Sequence, residues 1–284
     1  MTAALTTRHS DAVRQAVRSA RENPLEYLRH TVPQRGWLMH PKGRACWVDG
    51  NRLGKSWAQA ADIALFATGR HPLQTHPPPV EVCVASESWA QFVPLQKRLW
   101  DILPKDEIDP KLYWAPGQGI KGYKEPVIPI VAGRGKGSVI TLMTYKQGAL
   151  RLAGFNFHRA YTDEPPPESF IGELLPRLAQ RSGFLRMTFT PTPESPPMDW
   201  LRDKIEAAEA GKPGGIHRYN CGLKPENVEV HGGIVPLPYM TPEQVQAFID
   251  DCLPLEREMR VNGAWEPLSA DRMLTNYNAA CEKW

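Results

Sequence analysis

The sequence predicts an α/β fold: a mainly parallel central sheet flanked by helices, with a small C-terminal lid subdomain on it. Three observations predict this. Short apolar runs alternate with stretches of helical periodicity from residue 45 to residue 190. Proline accounts for 28 of the 284 residues, about twice its ordinary usage. That density forbids long uninterrupted helices and excludes a coiled coil or helical bundle. Beyond Pro193 the alternation stops, and charged, glycine-broken segments replace it.

Each element has its own signal. Ser10 or Asp11 caps a helix over about 11–22, with Val13 and Val17 on one face and Arg14, Arg18 and Arg21 on another. Asn23-Pro24 ends it. Ala45-Cys46-Trp47-Val48 is the first strand, and Ala60, Ile63, Ala64 and Ala67 mark the helix that follows, up to Gly69. A proline-rich connection, 71–79, leads to a second strand at 80–84. Trp89, Phe92, Leu95 and Leu99 form the apolar side of a helix over about 87–103. Residues 104–124 read as loop. Strands at 127–131 and 139–143 flank the basic turn Gly133-Arg134-Gly135-Lys136-Gly137. A strand at 159–162, a helix over about 168–181 and a strand at 185–190 complete the alternating part. A charged helix over about 199–210 follows. Thr241-Pro242-Glu243-Gln244 is a capping box with proline at the first helical position, opening a helix to about 251.

Composition narrows the class. Hydrophobic residues make up 42% and charged residues 23%, ordinary for a globular chain. The net charge of +3 is compatible with a nucleic-acid partner without requiring one. The five cysteines are scattered, without metal-ligand spacing, and read as reduced thiols. No apolar run is long enough to span a membrane, and the N-terminus lacks a signal-peptide core, so no membrane role is expected.

Chemistry enters at Asp49-Gly50-Asn51-Arg52-Leu53-Gly54-Lys55-Ser56, between a strand and a helix. Gly54-Lys55-Ser56 is the end of a phosphate-binding loop, the signature of a P-loop NTPase. Backbone N–H groups of such a loop and of the helix N-terminus wrap phosphate oxygens. Lys55 reaches the β- and γ-phosphates, and the Ser56 hydroxyl ligates Mg²⁺. The loop departs from the usual pattern at Asp49, which stands where the first glycine belongs, and Gly50 is read as supplying the turn one residue later. A second motif should accompany the first. Asp163-Glu164, at the end of a strand, fits: Asp163 holds the metal and Glu164 polarises the attacking water. Thr190 ends the next strand, where the ligand crevice of a parallel sheet lies, and is placed to sense the γ-phosphate.

Taken together, Asp49–Ser56, Gly148-Ala149-Leu150-Arg151-Leu152-Ala153-Gly154, Tyr161-Thr162-Asp163-Glu164-Pro165, Leu175-Pro176-Arg177-Leu178, Thr188-Phe189-Thr190-Pro191-Thr192 and Arg260-Val261-Asn262-Gly263-Ala264-Trp265 resemble the ATPase domain of tailed-phage terminase large subunits. The resemblance covers about 33–265. It implies a motor that hydrolyses ATP, with Mg²⁺, to drive double-stranded DNA into a procapsid. It also implies a homo-oligomeric ring, usually a pentamer, working with a portal protein and a small terminase subunit. The location implied is the host cytoplasm, transiently at the portal vertex. The ATP-binding set is Gln34, Gly50, Asn51, Arg52, Leu53, Gly54, Lys55 and Ser56. Within it Arg52 reaches the γ-phosphate and Gln34 reads adenine. Thr190 matches the coupling motif. Arg151 matches a position that serves some relatives as a finger into a neighbour's site, with Arg134, Arg177 and Arg181 as rivals.

The organisation expected is a helical arm (1–32), a P-loop ATPase core (33–194), a lid or linker subdomain (195–265) and a tail (266–284). The family's nuclease domain needs more than this tail, so DNA cleavage is not expected from this chain. Two other readings remain: a nucleotide-binding structural switch, which Asp49 favours, and another DNA-remodelling ATPase. Arg134, Lys136 and the N-terminal arginine stripe are candidate DNA contacts.

Overall fold

The computed structural model describes residues 14–15, 18–19, 23–50, 52–191, 198–227 and 240–264. The expected N-terminal helix falls mostly outside these residues, as do Asn51 of the loop, Thr192 and the 266–284 tail. Arg14, Gln15, Arg18 and Ser19 are helical.

Nine strands are present among the described residues: β1 (Arg44–Val48), β2 (Glu81–Ser86), β3 (Tyr113–Ala115), β4 (Gly119–Lys121), β5 (Val127–Pro129), β6 (Val139–Thr144), β7 (Arg159–Asp163), β8 (Phe184–Phe189) and β9 (His217–Tyr219). The helices are α1 (Val32–Leu38), α2 (Lys55–Ala67), α3 (Trp89–Ile102), α4 (Glu168–Ala179), α5 (Asp199–Glu209), α6 (Pro242–Asp251) and α7 (Pro254–Asn262). None is long and apolar enough to cross a membrane.

Seven strands form one sheet in the order β5-β6-β2-β7-β8-β1-β9. All neighbours are parallel except the edge pair β5 and β6. The central strands are apolar because both faces are covered. Side chains alternate between faces with period two. In β2, Val82 and Val84 pack under α2 and α3, while Cys83 and Ala85 face α4. In β1, Cys46 and Val48 join the α4 side, and Ala45 and Trp47 the other. Strand β8 lies between β7 and β1. The strand carrying the acid pair and the strand entering the loop are therefore bridged by the strand that leads to Thr190.

The structure adds four elements to those expected from sequence, one of them α7 (Pro254–Asn262). Residues 104–124 contain the antiparallel hairpin β3–β4, tied to α3 where Ile120 N–H donates to Gln96 Oε1 at 3.0 Å. Helix α1 starts at a capping box in which Thr31 and Gln34 exchange backbone and side-chain bonds. Strand β9 extends the main sheet beside β1. Leu201 and Ile205 of α5 join the core on the α4 side. Leu223, Val245 and Val261 pack with Trp37, Trp47 and Leu53. Among the described residues past 195, β9, α5, α6 and α7 thus share the sheet or the core of the part before them.

Under α2 lies a buried polar network. Asp62 Oδ1 accepts from Arg159 Nη1 at 2.8 Å and from Tyr161 Oη at 2.7 Å. His71 Nε2 lies 3.2 Å from the same oxygen and Arg186 Nε 3.9 Å from the other. Asp62, Arg159 and Arg186 are all fully buried. Burial alone would raise the Asp62 pKa, but the Arg159 charge, His71 and Arg186 outweigh it and hold the carboxyl well below the usual range. Arg159 also stacks over Phe66 and Arg186 over Trp37. The network joins the middle of α2 to β7 and β8, fixing the helix that begins with Lys55. Asp62→Ala should leave two guanidinium groups without their carboxylate and cost about 3–5 kcal/mol of stability. A urea-unfolding midpoint equal to that of the unmodified protein would disprove this role.

Candidate active site

The loop between β1 and α2 is shaped by two left-handed residues, Arg52 (φ 70°) and Gly54 (φ 74°). Only the second is glycine; the expected turn at Gly50 is not a left-handed one. Gly50 is required for a different reason: a Cβ there would lie 2.3 Å from the carbonyl oxygens of Arg260 and Val261. The loop entry is packed backbone-to-backbone against α7, and Gly263 just beyond α7 meets Asp49 in the same way.

Asp49 is fully buried and accepts bonds on both oxygens. Oδ1 takes Gly50 N–H at 2.9 Å, and Oδ2 takes Cys221 N–H at 2.7 Å and Trp47 Nε1 at 3.2 Å. Gly222 N–H reaches both at 3.1 Å. The carboxylate at the position of the missing glycine therefore ties the loop to the segment after β9. It is not among the residues that line the cavity.

Lys55 is buried as the first residue of α2. Its Nζ donates to the Asp49 carbonyl at 2.9 Å, to the Gly50 carbonyl, and to Thr190 Oγ1 at 2.7 Å. Burial pulls its pKa down to about 8, against the charges of Asp49, Glu164 and Asp163.

Across β8 stands the acid pair. Thr188 Oγ1 donates to Asp163 Oδ1 at 3.3 Å, and Ser56 lines the same cavity as Asp163. Burial lifts the Asp163 pKa to about 6, opposed by Arg98, Thr188, Lys55 and Ser56. Glu164 has φ 70°. That turn is held by its own N–H to Thr188 O at 3.0 Å and by Tyr145 Oη, which donates to its carbonyl at 2.8 Å. Burial first, and the Asp163 charge second, raise its pKa to about 7.

Lys55, Ser56, Asp163, Glu164, Thr190 and Arg98 line one cavity of about 420 Å³, with the exposed Arg52 on its wall. Sequence reasoning found five of these six. It missed Arg98 on α3, and it missed Tyr145, which orients the Glu164 turn from a short 3₁₀ helix. Neither carries a local pattern that marks it. Gln34 is buried, with Oε1 accepting Thr31 N–H at 3.1 Å and Nε2 donating to Gly54 O at 3.3 Å. It buttresses the loop and is not among the cavity-lining residues. Leu53 is buried in the core beside Trp47 and Ala58. Arg151 lies outside the cavity, on the 3₁₀ turn Ala149–Leu152, ion-paired with Glu125. Arg177 pairs with Glu173 at 3.7 Å on α4. No group of three or more His, Cys, Asp or Glu side chains that could hold a metal ion occurs among the described residues. Ser56 and Asp163 offer two hard oxygens side by side. That suits a Mg²⁺ ion whose other ligands are phosphate oxygens and water.

A strand–loop–helix closed on its lysine, facing an acid pair across one intervening strand, defines a P-loop NTPase fold. No family model matches the chain. It is 27% identical over 181 residues to the terminase large subunit of Salmonella phage P22, covering 54% of this chain and 36% of that protein. The large terminase of a thermophilic bacteriophage, solved in complex with ADP, superposes with a TM-score of 0.53 at 11% identity. That match covers 83% of this chain and 53% of that one. The ATPase domain of the Thermus phage P74-26 large terminase gives 0.51 at 14% identity, over 85% of this chain and 96% of that one. The chain spans about a third of the length of the P22 protein and about half of the ADP-bound large terminase. Its fold is that of large-terminase ATPase domains.

The raised acid pair carries a stability cost. A carboxyl whose folded pKa lies above its unfolded value is destabilised when ionised, so the cost is absent at low pH and full above about pH 7. Glu164→Gln should therefore raise stability by about 1–3 kcal/mol at pH 8 and change it little at pH 4. Thermal melts at the two pH values test this. A variant melting below the parent at pH 8 would contradict the electrostatic account.

Proposed function

We propose that this chain is the ATP-hydrolysing motor domain of a phage DNA-packaging machine. The observation that carries the reading is the shared cavity, which brings Lys55, Ser56, Asp163, Glu164 and Thr190 together. In the working site the ATP phosphates take the place of the two loop carbonyls as partners of Lys55. Loop N–H groups and the α2 N-terminus add donors. Ser56 and Asp163 would hold Mg²⁺, which would supply positive charge to the phosphates. Glu164, with a pKa near 7, accepts a proton from the attacking water. Arg52, from the cavity wall, approaches the γ-phosphate. Gln34 acts on the adenine end through the loop it braces.

Thr190 is the coupling residue in this reading. Its hydroxyl accepts from Lys55 and loses that partner when the lysine turns to phosphate. The intended cargo is double-stranded DNA. The partners are a portal protein and a small terminase subunit, and the working form is a ring, a pentamer, at the portal vertex in the host cytoplasm. Arg151, outside its own cavity, serves a neighbour's site in that ring. The Asp49 carboxylate bonds Cys221 and Gly222 N–H and is not among the cavity-lining residues, which is compatible with phosphate entering the loop.

Lys55→Ala should fold and lose ATP turnover by about 10²-fold or more, and Glu164→Gln should bind Mg-ATP yet stall. A folded Lys55→Ala protein with normal turnover would overturn the reading. Duplex DNA should stimulate turnover without being unwound, and strand separation would point instead to a remodelling ATPase.

Arg151→Ala should bind ATP normally and lose about 10³-fold or more in turnover. Mixed with Lys55→Ala subunits under conditions where the wild type assembles, it should recover part of the activity. An intact Lys55 site then receives Arg151 from its neighbour. Failure to complement in such assemblies removes the trans role.

A further inference from the structure

We propose that Arg98 is a catalytic residue of this site, a guanidinium supplied in cis by α3 that binds the γ-phosphate oxygens. The inference rests on reading the cavity as an ATP-hydrolysing site. Arg98 lies on the helix that follows β2, and Ser86 at the end of β2 is the register partner of Asp163 at the end of β7. Side chains on a helix lean toward its N-terminus, which directs Arg98 back toward the strand ends. It lines the same cavity as Lys55, Ser56, Asp163 and Glu164.

Its electrostatic surroundings argue the same way. Arg98 and Lys55 are the two cations on the cavity wall whose charge acts on Asp163. Burial lowers the Arg98 pKa, and Asp163 is the carboxylate that opposes this. Yet Arg98 makes no hydrogen bond or ion pair among the described residues, while Arg70, Arg151, Arg159, Arg177 and Arg202 all have carboxylate partners within ion-pair distance. A half-buried fork of donors is therefore held beside the acid pair without a direct partner. When Asp163 ligates Mg²⁺, two cationic groups compete for one carboxylate. In the proposed complex the γ-phosphate is the anion that takes the guanidinium.

The chemistry balances without covalent work by Arg98. The water oxygen bonds to the γ-phosphorus, and the bond from phosphorus to the β–γ bridging oxygen breaks. The water proton passes to Glu164, and the bond's electron pair leaves on the β-phosphate of ADP. Arg98 donates hydrogen bonds to equatorial oxygens of the transferring group, where its planar fork offers two parallel donors.

The test compares Arg98→Gln, Arg98→Lys and wild-type protein for turnover, for ADP affinity and for affinity toward a non-hydrolysable ATP analogue, with Mg²⁺ present. Arg98→Gln should lower kcat by about 10²–10³-fold and weaken the analogue by about tenfold, while ADP binding stays within about twofold. Arg98→Lys keeps the charge but not the fork and should still lose about tenfold or more in kcat. If Arg98→Gln does not fold, the lysine variant carries the same test. Wild-type kcat in either folded variant overturns the inference, as does an equal loss of ADP and analogue affinity, which would leave Arg98 a structural neighbour of Asp163. Mixing Arg98→Gln with Lys55→Ala subunits should restore nothing, and recovery there would overturn the cis assignment. Wild-type protein that hydrolyses no ATP under any of these conditions overturns the ATPase reading as well. Active wild type with unaffected variants overturns this inference alone.

Discussion

One buried ammonium sets the terms for the site. Lys55 keeps its charge away from water with neutral oxygens as its direct partners: two loop carbonyls and the Thr190 hydroxyl. The three nearby carboxylates attract it from a distance. Asp49 is stabilised elsewhere by backbone N–H groups, and Asp163 by Thr188 and Ser56. The acid pair is left with too little positive charge, so both of its pKa values rise. Polyphosphate with a divalent cation supplies what is missing on both sides, an anion for the lysine and a cation for the carboxylates. That imbalance is what the proposed Mg-ATP ligand would relieve.

The rigidity this requires comes from below and from the side. Below, Asp62 fastens the middle of α2 to two arginines on β7 and β8. A charge in the middle of an otherwise apolar helix and arginines inside two central strands each violate the pattern expected of a covered sheet, and together they compensate. From the side, the C-terminal segment closes on the loop through Asp49, Gly50 and Gly263, where main chain meets main chain. The composition change after Pro193 therefore does not coincide with a break in packing. Strand β9 extends the sheet, and α7 covers the loop entry.

Much of this is legible in the sequence. Strands buried on both faces appear as apolar runs, and the helices between them show periodicity. The loop and the acid pair are local in sequence, and Ser56 and Asp163 line one cavity. What escapes a reading of the sequence is non-local or short. Strand β9 is three residues long with a charged centre, His217-Arg218-Tyr219, and becomes a strand only because β1 has a free edge. Helix α1 is marked by the Thr31 and Gln34 capping box, a signal that the assignment of Gln34 to adenine passes over. The hairpin β3–β4 is two three-residue strands around a glycine turn, too short for alternation to register. Arg159 makes its strand less apolar than its neighbours, and only the fold brings Asp62 opposite it.

Arg98 is illegible for a related reason, since a lone arginine on an amphipathic helix reads as solvated. Its neighbour Gln96 points to the other side of α3. There Gln96 Oε1 accepts from Ile120 N–H, and the side chain lies so close to Gly119 that a Cβ would sit 2.3 Å from Oε1. One helix thus has a polar group in the cavity and, two residues earlier, a polar anchor on the buried side of the hairpin. Leu95 and Leu99 lock the same helix into the core beneath. Close-packed interiors move by discrete repacking and not by gradual yielding. The register that buries Leu95 and Leu99 is fixed in this way, and it sets both polar positions at once: Arg98 at the cavity and Gln96 at the hairpin.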